Sequence, residues 1–221
     1  MLDRKKCNAL IFVQLCVMVH NDWLNPMPVT IISGSAYFGL RVPMSSFPGY
    51  LQGFLEKYPS TPEIETLGVN LAVQNFPLQA TKNFVTKVCE WGGYPGIGGR
   101  LLKRNSLSDI CQAFRDAASI LSTTKSVADA LGRVNKLQGL GSPSFASKHL
   151  RFLRPDLCGV LDSILFEVLP YSFDTAGYSD FCGDLTSVAH NLTANAISNP
   201  TRKGGAWFVA DIEAALYESV T

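Results

Sequence analysis

Two glycines within the segment Leu137-Gln-Gly-Leu-Gly141 form the part of the chain best suited to bind a phosphate. Glycine adopts backbone angles that other residues resist, and its lack of a side chain lets a phosphate approach the backbone amides. The predicted helix that follows points its free N–H groups and the positive end of its dipole toward that phosphate. Because glycine also ends many ordinary helices, this pattern needs support from a second observation.

The charge is distributed unevenly along the chain. The 221 residues carry a net charge of +1 in total, whereas residues 100–154 contain ten basic and three acidic residues. That segment therefore carries +7, and the remainder carries −6. A basic patch is expected of a protein that binds the phosphate backbone of a nucleic acid, and solvated helix faces are the alternative. The nearly neutral total excludes a polycationic nucleic-acid coat protein.

Several other chemistries are excluded by the residue pattern. No C-x-x-C occurs among the six cysteines, which argues against a zinc ribbon or a cysteine-ligated iron–sulfur cluster. The chain also lacks a Ser-His-Asp order, the zinc-deaminase motif and a Gly-Lys-Ser/Thr motif after its glycine-rich segment. The sequence therefore predicts neither a metal site nor a cofactor. The cysteines are Cys7, Cys16, Cys89, Cys111, Cys158 and Cys182.

The residues around the glycine hairpin resemble a known superfamily. From Gly139 onward the chain reads GLGSPSFASKHLRFLRPDLCGVLDS. This segment is similar to the helix-hairpin-helix base-excision DNA glycosylases, in which a lysine-bearing helix follows the hairpin and a later loop ends in an aspartate. The Ser147-Lys148 pair and the C-terminal segment 207–217 are similar to the 8-oxoguanine DNA glycosylase-like branch. The resemblance covers residues 60–221 and is firmest at 126–165, whereas the first 45 residues match no family.

The resemblance implies catalytic roles for Lys148 and Asp162. In such an enzyme the target nucleotide is flipped into a pocket, because base chemistry cannot take place inside the stack. Lys148, deprotonated by burial, would attack C1′, expel the base and form a Schiff base. Asp162 would stabilise the developing oxocarbenium ion and relay a proton. Taken singly, a solvent-facing helix lysine and an aspartate that caps a helix are the simpler interpretations.

One departure from the family pattern concerns the lysine. Many members that also cleave the DNA strand place it two residues after the second hairpin glycine, where this chain has Pro143. With a one-residue insertion the usual position falls on Ser144, and Lys148 lies one helical turn further along the same face. AP-lyase activity through Lys148 and a monofunctional mechanism therefore both remain open.

The same interpretation assigns further contacts with duplex DNA. The loop at 92–100 lies where the family fills the gap left by the flipped base, with Tyr94 as the wedge and Arg100 at the orphan base or a phosphate. A flexible connector is the alternative for that loop. Tyr217 and Trp207 are expected in the base pocket, although aromatic residues on such helices are more often core. His149 is expected to be a packed or capping residue. Contacts with the DNA backbone are expected from Gly139, Leu140, Gly141, Ser144 and Arg151.

These side chains must be positioned by a mainly helical fold with a small N-terminal β-hairpin. The β-rich residues 29–42 surround a Ser33-Gly34 pair and predict that hairpin, which Pro43 ends. The glycine-rich residues 90–100 are predicted to form a loop between helices. Capping residues and apolar periodicity predict helices at 46–58, from 61, at 77–91, 106–121, 126–137, 142–154, 162–169, 178–191 and 206–219. Residues 1–45 form one unit in this interpretation, and residues 46–221 form a helical glycosylase-like domain with its hairpin at 126–154.

The N-terminus contains an apolar run, 9–19, behind three basic residues. Such a run can imitate a secretory signal, but no small-residue cleavage site follows it. It is also shorter than the roughly 20 residues needed to span a bilayer, so an ordered core element is favoured. Together with the scattered thiols, this predicts a cytoplasmic monomer that has no membrane contact and is associated with the nucleoid through DNA.

Three functions are consistent with the sequence. The first is a DNA N-glycosylase that flips and excises a damaged or modified, 8-oxoguanine-like base from duplex DNA. The second is a non-catalytic helix-hairpin-helix DNA-binding protein. The third is an unrelated helical interaction protein in which the glycine turn is coincidental. The excised base follows only from the resemblance, and a bulky modified base in foreign (phage) DNA is an alternative substrate.

Overall fold

The structure is a computed structural model that describes residues 28–141 and 143–221. The prediction of an ordered apolar element at 9–19 lies outside the described residues. The described part is mainly helical and begins with a small antiparallel sheet, as the prediction of a mainly helical fold with a small N-terminal β element requires.

The N-terminal sheet has three strands rather than the two of the predicted hairpin. The turn at Ser33-Gly34 is present, but the chain turns again at Gly39, whose positive φ of 85° lets residues 35–42 divide into two strands. Ala36 lies opposite Ile31 on one side and Val42 on the other. The strands are β1 (Thr30–Ile32), β2 (Ser35–Tyr37) and β3 (Arg41–Pro43).

After a short 3-10 helix, Met44–Ser46, ten α-helices complete the described chain. Helices α5 and α6 begin as predicted, since the side chains of Ser106 and Ser126 accept hydrogen bonds from backbone amides of their own first turns. The helices are α1 (Phe47–Lys57), α2 (Thr61–Val73), α3 (Leu78–Trp91), α4 (Pro95–Arg104), α5 (Leu107–Thr123), α6 (Val127–Val134), α7 (Ser144–Leu153), α8 (Ser163–Val168), α9 (Thr175–Ala194) and α10 (Val209–Val220).

The predicted loop at 90–100 is wrong over most of its length, because α4 begins at Pro95. Proline is well tolerated in the first turn of a helix, where its missing N–H has no partner to lose. Gly98 lets α4 approach α3 closely, since a Cβ at this position would lie 3.3 Å from Cβ of Cys89. Close packing against α3 therefore outweighs the low helix propensity of the glycines.

Helix α7 runs through the centre of the molecule. All nine residues from Phe145 to Leu153 are buried, and helices α2, α3 and α6 pack against α7. Helix α2 crosses α7 at Gly68, where a Cβ would overlap the carbonyl oxygen of Phe152. The side chains of the sheet and of the helices share one hydrophobic core, and α10 closes it against α1.

Replacing Gly68 with alanine is expected to destabilise the protein, because the new methyl group forces α2 away from α7. The expected loss is about 1–3 kcal/mol in the free energy of unfolding, as for other overpacked cores. Chemical denaturation measures it. Gly132→Ala in α6 is the matched control, since no described atom outside its own helix backbone and chain neighbours lies within 4 Å of its Cβ position. That control should be neutral or stabilising by up to about 1 kcal/mol, and equal effects of the two substitutions would contradict the close crossing.

Candidate active site

A pocket of about 120 Å³ opens between α1, α3, α7, α10 and the segment that leads into α8. Aromatic side chains and three ionisable groups make up most of its lining. An apolar cavity with a few converging polar groups is the usual form of a ligand site. The lining residues are Phe54, Tyr58, Trp91, Gly92, Gly93, Lys148, Val160, Asp162, Glu213 and Tyr217.

Lys148 reaches this pocket from the centre of α7. Its side chain is 7% exposed, and its Nζ lies 3.5 Å from Oδ2 of Asp162 and 3.1 Å from Oγ of Ser144. Burial lowers the pKa of the Lys148 amine, whereas the negative charges of Asp162 and Glu213 oppose that shift. A lysine that loses its proton more easily than usual is suited to act as a nucleophile.

Asp162 caps α8 and at the same time faces the lysine. Its Oδ1 accepts hydrogen bonds from the backbone amides of Ile164, at 3.1 Å, and Leu165, at 3.2 Å. Its Oδ2 lies toward Lys148. The two interpretations offered by the sequence, a helix cap and a pocket carboxylate, therefore describe the same side chain. The cap fixes the carboxylate where its second oxygen meets the amine.

Gly92 supports the lysine from the end of α3. A Cβ at this position would lie 3.0 Å from the Phe145 ring and 3.1 Å from Cδ of Lys148. These distances are tighter than ordinary van der Waals contacts, so a side chain here would push the lysine stem aside. The glycine keeps the amine directed into the pocket.

Glu213 is a third ionisable group in the pocket, and the sequence analysis did not identify it. Its Oε2 accepts a hydrogen bond of 3.0 Å from Nε of Arg151, and both side chains are 2% exposed. Burial raises the pKa of Glu213 to about 7, although Arg151 acts in the opposite direction. The predicted contact of Arg151 with the DNA backbone is therefore wrong, because its guanidinium lies in the core against Trp91 and Phe152.

The aromatic wall of the pocket includes Tyr217, as expected, but not Trp207. The hydroxyls of Tyr58 and Tyr217 lie 3.3 Å apart, and Phe54 packs beside both rings. Trp207 instead lies in the core, where its ring meets that of Phe47 and its Nε1–H donates to the carbonyl of residue 197. The prediction of Trp207 as a base-pocket residue is corrected accordingly.

The glycine turn between α6 and α7 is held open at the surface. Gly139 and Gly141 have positive φ angles of 84° and 79°, which residues with a β-carbon rarely adopt. The Leu140 side chain is buried and anchors the turn in the core. The side-chain N–H of Asn105 donates to the backbone carbonyl of Gln138, and the backbone N–H of Gln138 donates to Oδ1 of Asn105. Apart from its chain neighbours, no atom of the described residues lies within 4 Å of a Cβ position at Gly141, so this side of the glycine is not covered by them.

Basic side chains of α4 flank this turn. A Cβ at Gly139 would lie 3.2 Å from Cδ of Arg104 and 3.4 Å from Cβ of Arg100. Both arginines are exposed, and within the described residues neither forms an ion pair, which also holds for Lys103 and Lys136. Of the ten basic residues between 100 and 154, those that form internal ion pairs are Arg133, Lys148, Arg151 and Arg154.

The remaining predicted contacts lie between the turn and the pocket. Tyr94 is 67% exposed at the start of α4, its ring edge against Phe145, and it follows the two glycines that line the pocket. Ser144 occupies the first turn of α7, but its hydroxyl accepts a hydrogen bond from Lys148. The Ser144 side chain therefore faces the amine, and its backbone amide is the group suited to a phosphate.

No family model, curated protein or solved structure matches the chain. Within residues 28–141 and 143–221, no helix is long and apolar enough to cross a membrane. The same residues contain no group of three or more His, Cys, Asp or Glu side chains that could hold a metal ion.

Replacing Asp162 with asparagine is expected to lower the pKa of Lys148 further, because the carboxylate that stabilises its charged form is removed. Asparagine retains the oxygen that caps α8, so the fold is expected to persist. NMR titration of ¹³C-labelled lysine side chains measures the shift, with Lys148→Gln to assign the signal. Exposed Lys82 is the internal control. An ordinary lysine pKa at position 148 in the wild-type protein would contradict this account of the pocket.

Proposed function

We propose that this protein is a DNA glycosylase that excises a damaged or modified base from duplex DNA. The observation that carries the proposal is the buried Lys148 amine, 3.5 Å from the carboxylate of Asp162 in an aromatic pocket. Perturbed ionisable groups in a concave pocket are the usual mark of a catalytic site. The similarity of residues 126–165 to the helix-hairpin-helix glycosylases supports the same conclusion from the sequence.

The position of the pocket relative to the glycine turn supports a nucleic-acid substrate. Ser144 lies in the first turn of α7, and Lys148 lies four residues further, a rise of about 6 Å. A phosphate held by the amides at the start of α7 would thus lie close to the lysine. Arg100 and Arg104 supply positive charge beside the turn. This charge would attract the phosphates of a DNA duplex.

The chemistry follows from the side chains that line the pocket. The rings of Tyr58, Trp91 and Tyr217 offer stacking surfaces for an extruded base. The neutral amine of Lys148 attacks C1′ while the bond from C1′ to the base breaks and its electron pair leaves with the base. The carboxylate of Asp162 stabilises the positive charge that develops on the sugar and then accepts the proton released from the lysine nitrogen. The bond from C1′ to the ring oxygen O4′ then breaks, O4′ takes its electron pair and the proton held by Asp162, and C1′ stays bonded to the lysine nitrogen as a protonated Schiff base.

Lys148→Gln is expected to abolish covalent trapping by borohydride on lesion-containing duplexes, because no amine remains to form the Schiff base. Asp162→Asn is expected to slow base release by several powers of ten while duplex binding stays nearly unchanged, because the carboxylate acts mainly in the transition state. Single-turnover assays and gel trapping measure the two effects.

The exposed residue Lys82 provides the matched control, and Lys82→Gln should trap as well as the wild-type protein. If Lys148→Gln keeps full glycosylase activity, then water activated by Asp162 is the nucleophile and the enzyme is monofunctional. If both pocket variants excise bases at the wild-type rate, the catalytic assignment is wrong.

Replacing Gly141 with valine is expected to weaken binding to all duplexes about equally, because phosphate contacts carry little sequence information. The positive φ at this position disfavours a β-branched residue, so the turn itself should distort. Arg104→Gln should also weaken binding and reduce the slope of log affinity against log salt by about one. Fluorescence anisotropy over a range of salt concentrations measures both effects.

Gly99→Ala on α4 is the control for the glycine substitution, since its φ is not positive and no described atom beyond its own helix backbone and chain neighbours lies within 4 Å of its Cβ position. This variant should bind duplexes like the wild-type protein. A loss of affinity confined to one DNA sequence in the Gly141 variant would argue against a phosphate contact at the turn.

A further inference from the structure

Glu213 brings a carboxyl group held by an arginine into the wall of the pocket. Its Oε2 is held by Nε of Arg151. The Glu213 side chain is 2% exposed and lines the pocket beside Lys148 and Asp162. The arginine therefore fixes a carboxyl group in the wall of the pocket.

The charges around the pocket balance in two different ways. With Lys148 and Arg151 protonated and Asp162 and Glu213 ionised, the four groups sum to zero. Moving one proton from Lys148 to Glu213 leaves the sum unchanged, because Arg151 then balances Asp162 alone. An uncompensated buried charge is costly. Lys148 can therefore be a free amine in the pocket only if another group there accepts its proton or otherwise restores the charge balance.

Burial favours the neutral forms of both partners in this exchange. It lowers the pKa of Lys148 and raises that of Glu213 to about 7, and each group feels the charge of the other. A carboxyl group with a pKa near 7 is well matched to proton transfer at neutral pH.

We propose, on the basis of the glycosylase function above, that Glu213 is the general acid that protonates the departing base. The proton resides on Glu213 when Lys148 is the free amine. As the bond from C1′ to the base breaks, the base takes the electron pair, and the carboxyl group of Glu213 delivers the proton to an acceptor atom of the base. The resulting carboxylate is stabilised by Arg151 and regains a proton from solvent after the base has left.

This role defines the class of substrate. A neutral base leaves as an anion unless it is protonated, so it gains most from an acid in the pocket. A base that already carries a positive charge, such as an N-alkylated purine, gains nothing from such a proton. Glu213 therefore favours neutral damaged or modified bases that carry a ring nitrogen or carbonyl oxygen able to accept a proton.

The titratable groups that interact electrostatically with Glu213 come from several elements. Helix α7 contributes a cation and an amine, the segment before α8 contributes a carboxylate, and α9 contributes a thiol. Helix α10, which carries Glu213 itself, also contributes a phenol. These groups are Arg151, Lys148, Asp162, Cys182 and Tyr217.

The test is single-turnover base release between pH 5.5 and 9.5 from four duplexes, which carry 8-oxoguanine, hypoxanthine, uracil or 7-methylguanine. For the wild-type protein, release of a neutral base should slow above about pH 7, where Glu213 loses its proton. Glu213→Gln should lower the rate about 100-fold or more and remove that alkaline decline, because general acids contribute roughly 10²–10⁴-fold. Glu218→Gln is the matched control on α10, since Glu218 pairs with Lys57 outside the pocket.

Glu213→Gln leaves Arg151 buried without a carboxylate, so the double variant Arg151→Met/Glu213→Gln is measured beside it to remove the stranded charge. Both should show the same slow release without the alkaline decline. Wild-type rates with a wild-type pH profile in either variant would overturn the role of Glu213 while leaving the glycosylase function intact. No release by the wild-type protein from any duplex would overturn the glycosylase function itself, and with it the acid.

Discussion

Helix α7 carries Lys148, His149 and Arg151 through the protein interior, and each of these side chains must be compensated for its loss of water. Arg151 pairs with Glu213, and Lys148 lies beside Asp162 and Ser144. His149 is neutral, because burial lowers its pKa to about 4, and its Nδ1–H donates to the carbonyl of Phe145. Leaving one partner of a buried pair alone costs about 3–5 kcal/mol, so the Arg151–Glu213 and Lys148–Asp162 pairs fix where α7, α8 and α10 lie relative to one another.

The same helix connects the surface to the pocket. Its N-terminus follows the glycine turn, where α4 brings Arg100 and Arg104 against Gly139. One turn further along, its lysine enters the aromatic pocket. The proposed substrate, a nucleotide flipped from a duplex, has a phosphate and a planar base a similarly short distance apart. The burial that makes α7 central also makes its amine chemically distinct from a surface lysine.

The parts of this arrangement that sequence reasoning predicted are local. The glycine turn, the capping serines and the proximity of Lys148 and Asp162 depend on residues fewer than about 25 positions apart, where helix period and capping chemistry are informative. Glu213 and Arg151 are separated by 62 positions, and nothing local indicates that they meet. The sequence did contain one indication that Glu213 lies at the pocket: it stands four residues before Tyr217, on the same face of the helix. The helix at Pro95–Arg104 was missed because its glycines indicate a loop, whereas packing against α3 decides the outcome.

The central claim is that the Lys148–Asp162 pocket removes a base from DNA. A panel of duplexes, each with one damaged or modified base, scored for abasic sites with the wild-type protein and with a Lys148→Gln/Asp162→Asn double variant, tests it most directly. The account predicts abasic sites in at least one duplex with the wild-type protein and none above background with the double variant. Equal abasic-site formation by both proteins, or none by the wild-type protein on any duplex that it binds, would contradict it.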